Sequence, residues 1–114
     1  NVMKTYPTSV PIGTMVTVGT GEMTASSGGI KAVAASSADT ALGVLIDRDS
    51  SFDYIQTEGY IPGNKVGLSN LTVGEYITVD NSMKLTGSGT SANAVGIVKY
   101  TDTNDNSQIW LYGR

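Results

Sequence analysis

Two stretches of the 114-residue sequence read onto each other, and in the same order. Val10-Pro11-Ile12-Gly13-Thr14-Met15-Val16-Thr17-Val18 aligns with Leu71-Thr72-Val73-Gly74-Glu75-Tyr76-Ile77-Thr78-Val79. Ala41-Leu42-Gly43-Val44-Leu45 aligns with Ala94-Val95-Gly96-Ile97-Val98. The first pair is offset by 61 positions (13 to 74) and the second by 53 (43 to 96), so the second copy is 8 residues shorter, all lost from the middle loop. Asp49 and Asp102 keep the 53-residue offset, and Tyr54-Ile55-Gln56 is set against Ile109-Trp110-Leu111 as the closing strand of each half. A unit that recurs in this way offers one sheet too small to bury its apolar face alone, so two halves must close on each other.

The residues between these landmarks predict strands. Short apolar runs occur at Met15–Val18, Ile30–Ala34, Leu42–Ile46, Tyr54–Thr57 leading into Glu58–Ile61, Lys65–Leu68, Tyr76–Val79, Met83–Thr86, Val95–Tyr100 and Gln108–Tyr112, separated by Gly, Asn, Asp, Ser and Pro. Twelve Ser, fourteen Thr and fourteen Gly leave little material for a long helix, because Gly and β-branched Thr have poor helix propensity. The expected fold is all-β: a small barrel or sandwich of about nine short strands, built from pseudo-repeated halves at about 10–60 and 71–112. Residues 11–114 read as one domain and residues 1–10 as an extended N-terminal arm. Ala32–Leu42 reads as a loop with at most a capped turn, and Val79–Met83 as a hairpin in which Asp80-Asn81 tolerate positive φ. Gly19–Gly29 and Gly87–Ala92 read as surface loops, with Glu22-Met23-Thr24 a possible hairpin extension.

The absence of histidine and cysteine excludes Ser/His/Asp and Cys/His catalysis, thiolate or imidazole metal sites, and disulfides. Lacking cysteine also fits assembly in a reducing cytosol. Seven basic residues, scattered among ten acidic ones for a net charge of −3, argue against a nucleic-acid partner. No apolar stretch approaches the roughly 20 residues of a membrane span. The chain opens on Asn1, as expected of a processed product or a piece of something longer. Carboxylates are the remaining candidates for chemistry. Asp47, Asp49 and Asp53 share the spacing of the start of a calcium loop, but Phe52 stands where that loop turns on glycine, so they read as acidic turn residues countered by Arg48. Asp102-Thr103-Asn104-Asp105-Asn106 reads as a polar hairpin tip. No catalytic, cofactor-binding or metal-ligating residue is assigned, and the chain reads as a non-enzyme; a glycosidase would need two carboxylates facing each other across a cleft.

Candidate contact residues are apolar. Asn1–Pro11 carries Val2, Met3, Tyr6 and Val10, while Pro7 and Pro11 block helix and central-strand positions. An arm of this kind either lies along a partner surface through Val2, Met3, Tyr6 and Pro7 or packs as a strap on its own domain. Trp110 and Tyr112 in the last strand read as core or subunit contacts. A sugar platform would need several exposed aromatics on one face. Tyr54, Tyr60, Tyr76 and Tyr100 suit half-buried sheet positions.

The progression Val10-Pro11-Ile12-Gly13-Thr14-Met15-Val16, then Ala41-Leu42-Gly43-Val44-Leu45, then Tyr54-Ile55-Gln56-Thr57-Glu58-Gly59-Tyr60 resembles the decoration (cement) proteins of tailed-phage capsids, over about Val10 to Tyr112. The Thr/Gly/Ser-rich composition is also similar to phage head-fibre and other virion surface modules. The longer Gly19–Gly29 loop and the acidic Asp47–Asp53 turn depart from the simpler members. The resemblance implies a cofactor-free structural protein, assembled in the host cytoplasm, that binds the major capsid protein on the outside of the assembled shell, often as a trimer, and stabilises it. The alternative it implies is a head- or tail-fibre module that binds the host surface or glycans.

Overall fold

A computed structural model describes residues 2–19 and 30–113. Runs rich in β-branched and aromatic side chains become strands, and Gly, Asn, Asp and Ser turn the chain between them. The described residues contain ten strands: β1 (Val2–Thr5), β2 (Met15–Val18), β3 (Ala32–Ala34), β4 (Gly43–Arg48), β5 (Asp53–Gln56), β6 (Gly59–Pro62), β7 (Tyr76–Val79), β8 (Leu85–Thr86), β9 (Gly96–Thr101) and β10 (Ser107–Leu111). They form two antiparallel five-stranded sheets, in the orders β1-β5-β4-β2-β3 and β6-β10-β9-β7-β8. Adding five to every strand number of the first sheet gives the second, so the all-β, two-half architecture expected from the repeat is present.

The register repeats along with the order. Val16 pairs with Gly43 as Ile77 pairs with Gly96, and Met15 with Val44 as Tyr76 with Ile97. Thr17 faces Val33 as Thr78 faces Thr86. The ladders between β4 and β5 and between β9 and β10 each slip, skipping Ile46 in one and Lys99 in the other, which are 53 positions apart. Thirteen residues (19–31) separate Val18 from its partner Ala32 and five (80–84) separate Val79 from Leu85, so the whole 8-residue difference lies in this connection.

Several local expectations need correction. Ile55, not Tyr54, is the counterpart of Ile109, because five residues rather than four separate the paired ends of the second hairpin. Tyr54–Ile61 is broken at Thr57-Glu58, and its two parts, β5 and β6, belong to different sheets. Lys65–Leu68 is not a strand: Gly63–Val66 makes a 3-10 turn that ends on Gly67 at φ +77°. In the β7–β8 hairpin Met83, rather than Asp80 or Asn81, takes positive φ, at +65°; Asp80 Oδ1 instead accepts the backbone N–H groups of Ser82 and Lys84. Ala38–Thr40 is a single 3-10 turn without a side-chain cap. The N-terminal segment is extended, and Val2–Thr5 lies along β5 as an edge strand. The suggested extension at Glu22-Met23-Thr24 lies outside the described residues.

The two sheets differ in how they close. In the first, Tyr6 bridges Lys31 beside β3, and the Tyr6 N–H donates to the Ile30 carbonyl at 2.9 Å, bringing both sheet edges together. Val16, Ala32, Leu45 and Ile55 are buried inside, with Val10 and Ile12 packed on them. The second sheet stays open and uses its neighbour as a lid. Its inner residues Ile61, Ile77, Leu85, Val98 and Ile109 share one core with Met15 and Val44, which point out of the back of the first sheet. Edge bonds join the sheets as well: Met15 N–H donates to the Met83 carbonyl at 2.7 Å and Leu85 N–H to the Gly13 carbonyl at 2.9 Å. The halves are therefore stacked front to back.

The repeated glycines admit close backbone approach. A Cβ on Gly43 would lie 2.3 Å from the Gln56 carbonyl oxygen, and one on Gly96 would lie 2.6 Å from that of Trp110. Gly74 has φ +88° but open space around it. Urea titrations of Gly43→Ala and Gly96→Ala should therefore each show a loss of about 3 kcal/mol, from overpacking against backbone that cannot yield. Gly74→Ala should lose only about 1 kcal/mol, from the strained φ alone. Similar costs at all three positions would show that the two inter-strand contacts are not tight.

Candidate functional site

The acidic turn that the sequence singles out sends its three carboxylates in three directions. Asp53, at the start of β5, is fully buried. Its Oδ1 accepts from Arg48 Nε at 2.6 Å, and its Oδ2 accepts from the Thr8 hydroxyl at 2.7 Å and the Thr8 N–H at 3.2 Å. Arg48 Nη2 also donates to the Val10 carbonyl at 2.6 Å. A buried carboxylate is tolerable only when its charge is matched and its lone pairs are filled, and both conditions hold here. The group clamps the strap between β1 and β2 onto the first sheet. Asp47 points outward to Lys65 Nζ at 3.0 Å, with both side chains about half exposed. Asp49 turns back on its own loop, accepting the N–H groups of Ser51 and Phe52 at 2.8 Å and the Tyr54 hydroxyl. Among the described residues no three acidic side chains gather as a cation site.

Asp102 does at the second hairpin what Asp49 does at the first. Its Oδ1 accepts the N–H groups of Asn104 and Asn106 at 2.9 and 3.0 Å. These bonds favour the charged form and hold both carboxyls below the ordinary aspartate value of 3.8: the Tyr54 hydroxyl contributes most at Asp49 and the Asn106 N–H most at Asp102. The same bond raises the Tyr54 hydroxyl. Two surface clefts each contain one carboxylate. A cleft of about 460 Å³ beside Thr78 and Asn93 contains Asp39. Another, beside Leu71 and Gly87, contains Glu75, which already accepts from the Thr72 and Ser88 N–H groups.

The outer face of the second sheet is aromatic. Tyr60, Trp110, Ile97 and Tyr76 are consecutive cross-strand partners on β6, β10, β9 and β7, so their side chains share one face. That face is opposite the shared core, which takes the alternate residues Ile61, Ile109, Val98 and Ile77. Tyr60 is 55% exposed and Trp110 37%, while Ile97 and Tyr76 are half-buried. Trp110 and Tyr60 meet edge to face, with centroids 4.9 Å apart at 72°. The next row holds Pro62, Gln108 and Tyr100, the last also half exposed.

Trp110 is thus a surface residue on an aromatic face rather than a core residue. Tyr112 is half-buried beyond the end of β10, its N–H donating to the Val95 carbonyl at 3.0 Å. Val2, Met3 and Tyr6 are exposed on or next to β1, and Pro7 is half-buried. Tyr6 packs toward Phe52, which also meets Tyr54, with Lys4 Nζ 5.3 Å from the Phe52 ring. Treating the tyrosines as generic sheet residues hides the ladder; the repeat alignment contained the signal, since it sets Tyr76 against Met15 and Ile97 against Val44. No family model, curated protein or solved structure matches this chain.

Arg48→Ala leaves a wholly buried carboxylate without its countercharge and should lower stability by about 3 kcal/mol in a denaturant titration. Asp47→Ala, which removes the half-exposed pair with Lys65 and an exposed bond from the Arg48 N–H at 2.8 Å, should cost less than about 1 kcal/mol. Equal effects would remove the distinction between clamp and surface pair. Asp49 and Asp102 have depressed folded-state values, so their stabilisation is complete above the ordinary aspartate value and is lost as pH falls through the folded ones. Thermal melts from pH 6 down to pH 2 should therefore show a fall that begins near pH 4 and is shallower in the Asp49→Asn/Asp102→Asn double variant. Parallel acid limbs would contradict this assignment.

Proposed function

We propose that this chain is a non-enzymatic structural protein of a tailed-phage virion, bound to the major capsid protein on the outer surface of the assembled capsid and stabilising the shell. The observation that carries the reading is the distribution of chemistry. The buried polar groups of the Asp53–Arg48 clamp tie the chain to itself, whereas the uncovered surface offers apolar and aromatic side chains: the Tyr60–Tyr76 face and the Val2, Met3 and Tyr6 edge. The resemblance of the Gly13, Gly43 and Gln56-Thr57 segments to capsid decoration proteins supports the same reading. A rigid β body that binds only the assembled lattice stabilises it by mass action, and engagement of several neighbours makes modest contacts sufficient. Self-association, as a trimer in the decoration family, belongs to this reading, as does assembly in the host cytoplasm.

A second reading, a fibre module binding host glycans, is favoured by Tyr60, Tyr100 and Trp110 lying exposed on one face. The edge-to-face geometry of Tyr60 and Trp110 weakens it, since these two rings do not form a flat platform.

Purified protein added to undecorated, expanded capsids should bind to saturation at a fixed number of copies per capsid protein, counted by gel densitometry and located by electron microscopy. Val2→Ser/Tyr6→Ser should weaken attachment while the circular dichroism spectrum stays unchanged; deletion of residues 1–6 is unsuitable because it strips an edge strand from β5. Absence of binding at micromolar concentration would overturn the proposal, and retention on glycan arrays instead would favour the fibre module.

A further inference from the structure

The two halves hold their first strands differently. β1 and β6 occupy equivalent slots: Met3 pairs with Ile55 as Ile61 pairs with Ile109, and Val2 with Gln56 as Tyr60 with Trp110. Ile61 is fully buried in the shared core, whereas Met3, at the matching inward position, is 39% exposed. Val2, Lys4 and Tyr6 are exposed as well, so Thr5 is the one residue that β1 buries. Its hydroxyl is enclosed without a hydrogen-bond partner among the described residues. Burying such a group costs free energy that a single methyl scarcely returns. What holds β1 is therefore its four-residue ladder on β5, the Tyr6 N–H bond to the Ile30 carbonyl, and surface contacts of Lys4 and Tyr6 with Phe52.

The clamp divides this end of the chain at Pro7. Beyond it the Thr8 hydroxyl is fixed to Asp53 at 2.7 Å and the Val10 carbonyl to Arg48 at 2.6 Å, and Val10 and Ile12 cover the core of the first half. None of those bonds involves a residue before Thr8. We infer that residues 2–6 form a releasable strand, which swings off β5 about Pro7 while the clamped strap and both cores stay in place. Units with few buried apolar contacts and exposed backbone bonds open in this way without global unfolding. Release breaks the Tyr6–Lys31 bridge that closes the first sheet and bares the β5 edge from Asp53 to Gln56. Such an edge is the element that strand addition by another chain uses. β6 is not free to do the same, because Ile61 would have to leave the shared core and Gln56 Nε2 holds the Tyr60 carbonyl at 2.8 Å. The inference does not depend on attachment to a capsid.

Native-state hydrogen exchange of the full chain, followed by NMR, tests this. The β1 amides and the β5 amides bonded to them should exchange together, at least ~100-fold faster than the ladder amides between β6 and β10. Thr5→Val, which replaces the unpartnered hydroxyl by a methyl of the same shape, should slow exchange in β1 about 10-fold and leave β10 unchanged. The chain has no cysteine, so Val2→Cys/Gln56→Cys introduces a single disulfide between facing positions of β1 and β5. Trypsin under native conditions should cut after Lys4 in the unmodified chain and in the reduced double variant, and should spare that bond in the oxidised one. Protection in β1 equal to that in β6 would overturn the inference. So would cleavage after Lys4 that the disulfide does not slow, or faster exchange in Thr5→Val, which would give the hydroxyl a partner that holds the strand. Failure of the chain to bind capsids would remove the proposed function and leave these readouts untouched.

Discussion

The second sheet has no lid of its own, and the rest of the molecule follows from where it finds one. Its inner residues Ile61, Ile77, Val98 and Ile109 are buried only because Met15 and Val44 project from the back of the first sheet into the same core. The first half's private core is four side chains, one of them an alanine. Three large apolar side chains and an alanine are too little buried surface to hold some fifty residues in place. Neither half therefore has reason to fold alone. The joint core lets two undersized sheets behave as one body.

The two halves diverge where their surroundings differ. Asp53 and Ser107 are equivalent buried polar positions, and Arg48 is matched by Thr101. In the first half the strap over the sheet has solvent behind it and only Val10 and Ile12 to bury, so charge and hydrogen bonds hold it: Arg48 to the Val10 carbonyl, Asp53 to Thr8. In the second half the strap is pressed between two sheets, and Val66, Leu68 and Leu71 hold it by burial. A clamp is unnecessary there, and Gly63 leaves room for Ser107, whose hydroxyl would lie 2.0 Å from an added Cβ. One backbone plan thus accommodates two chemistries.

How much of this the sequence disclosed depended on range. The all-β class, the repeat and the placement of its length difference follow from local runs and offsets, because short alternating segments and turn residues act locally. The equivalence of Gly43 and Gly96 was also readable, as an Ala-x-Gly pattern whose physical reason is a neighbouring carbonyl. The assignment of Lys65–Leu68 to a strand failed because Val66 is drawn into the shared core by a tight turn, a tertiary demand that periodicity does not carry. The N-terminal segment left two readings open because pairing with β5 is a contact about fifty residues away. The aromatic ladder was hidden because Tyr60, Tyr76, Ile97 and Trp110 lie on four strands, and only their register makes them neighbours.

The different closures of the two sheets give the molecule its polarity. In the first half Lys31, beside β3, meets Tyr6 and closes that sheet on itself. In the second half the equivalent residue, Lys84, meets Thr14 of the first half, and the second sheet remains open toward it. One half is consequently closed and the other dependent, which makes the stacking directional. A directional stack of two has one outer face that none of the described residues covers. Here that face is lined by four strands of aromatic and apolar side chains, so the asymmetry that completes the core also decides which surface is left to meet something else.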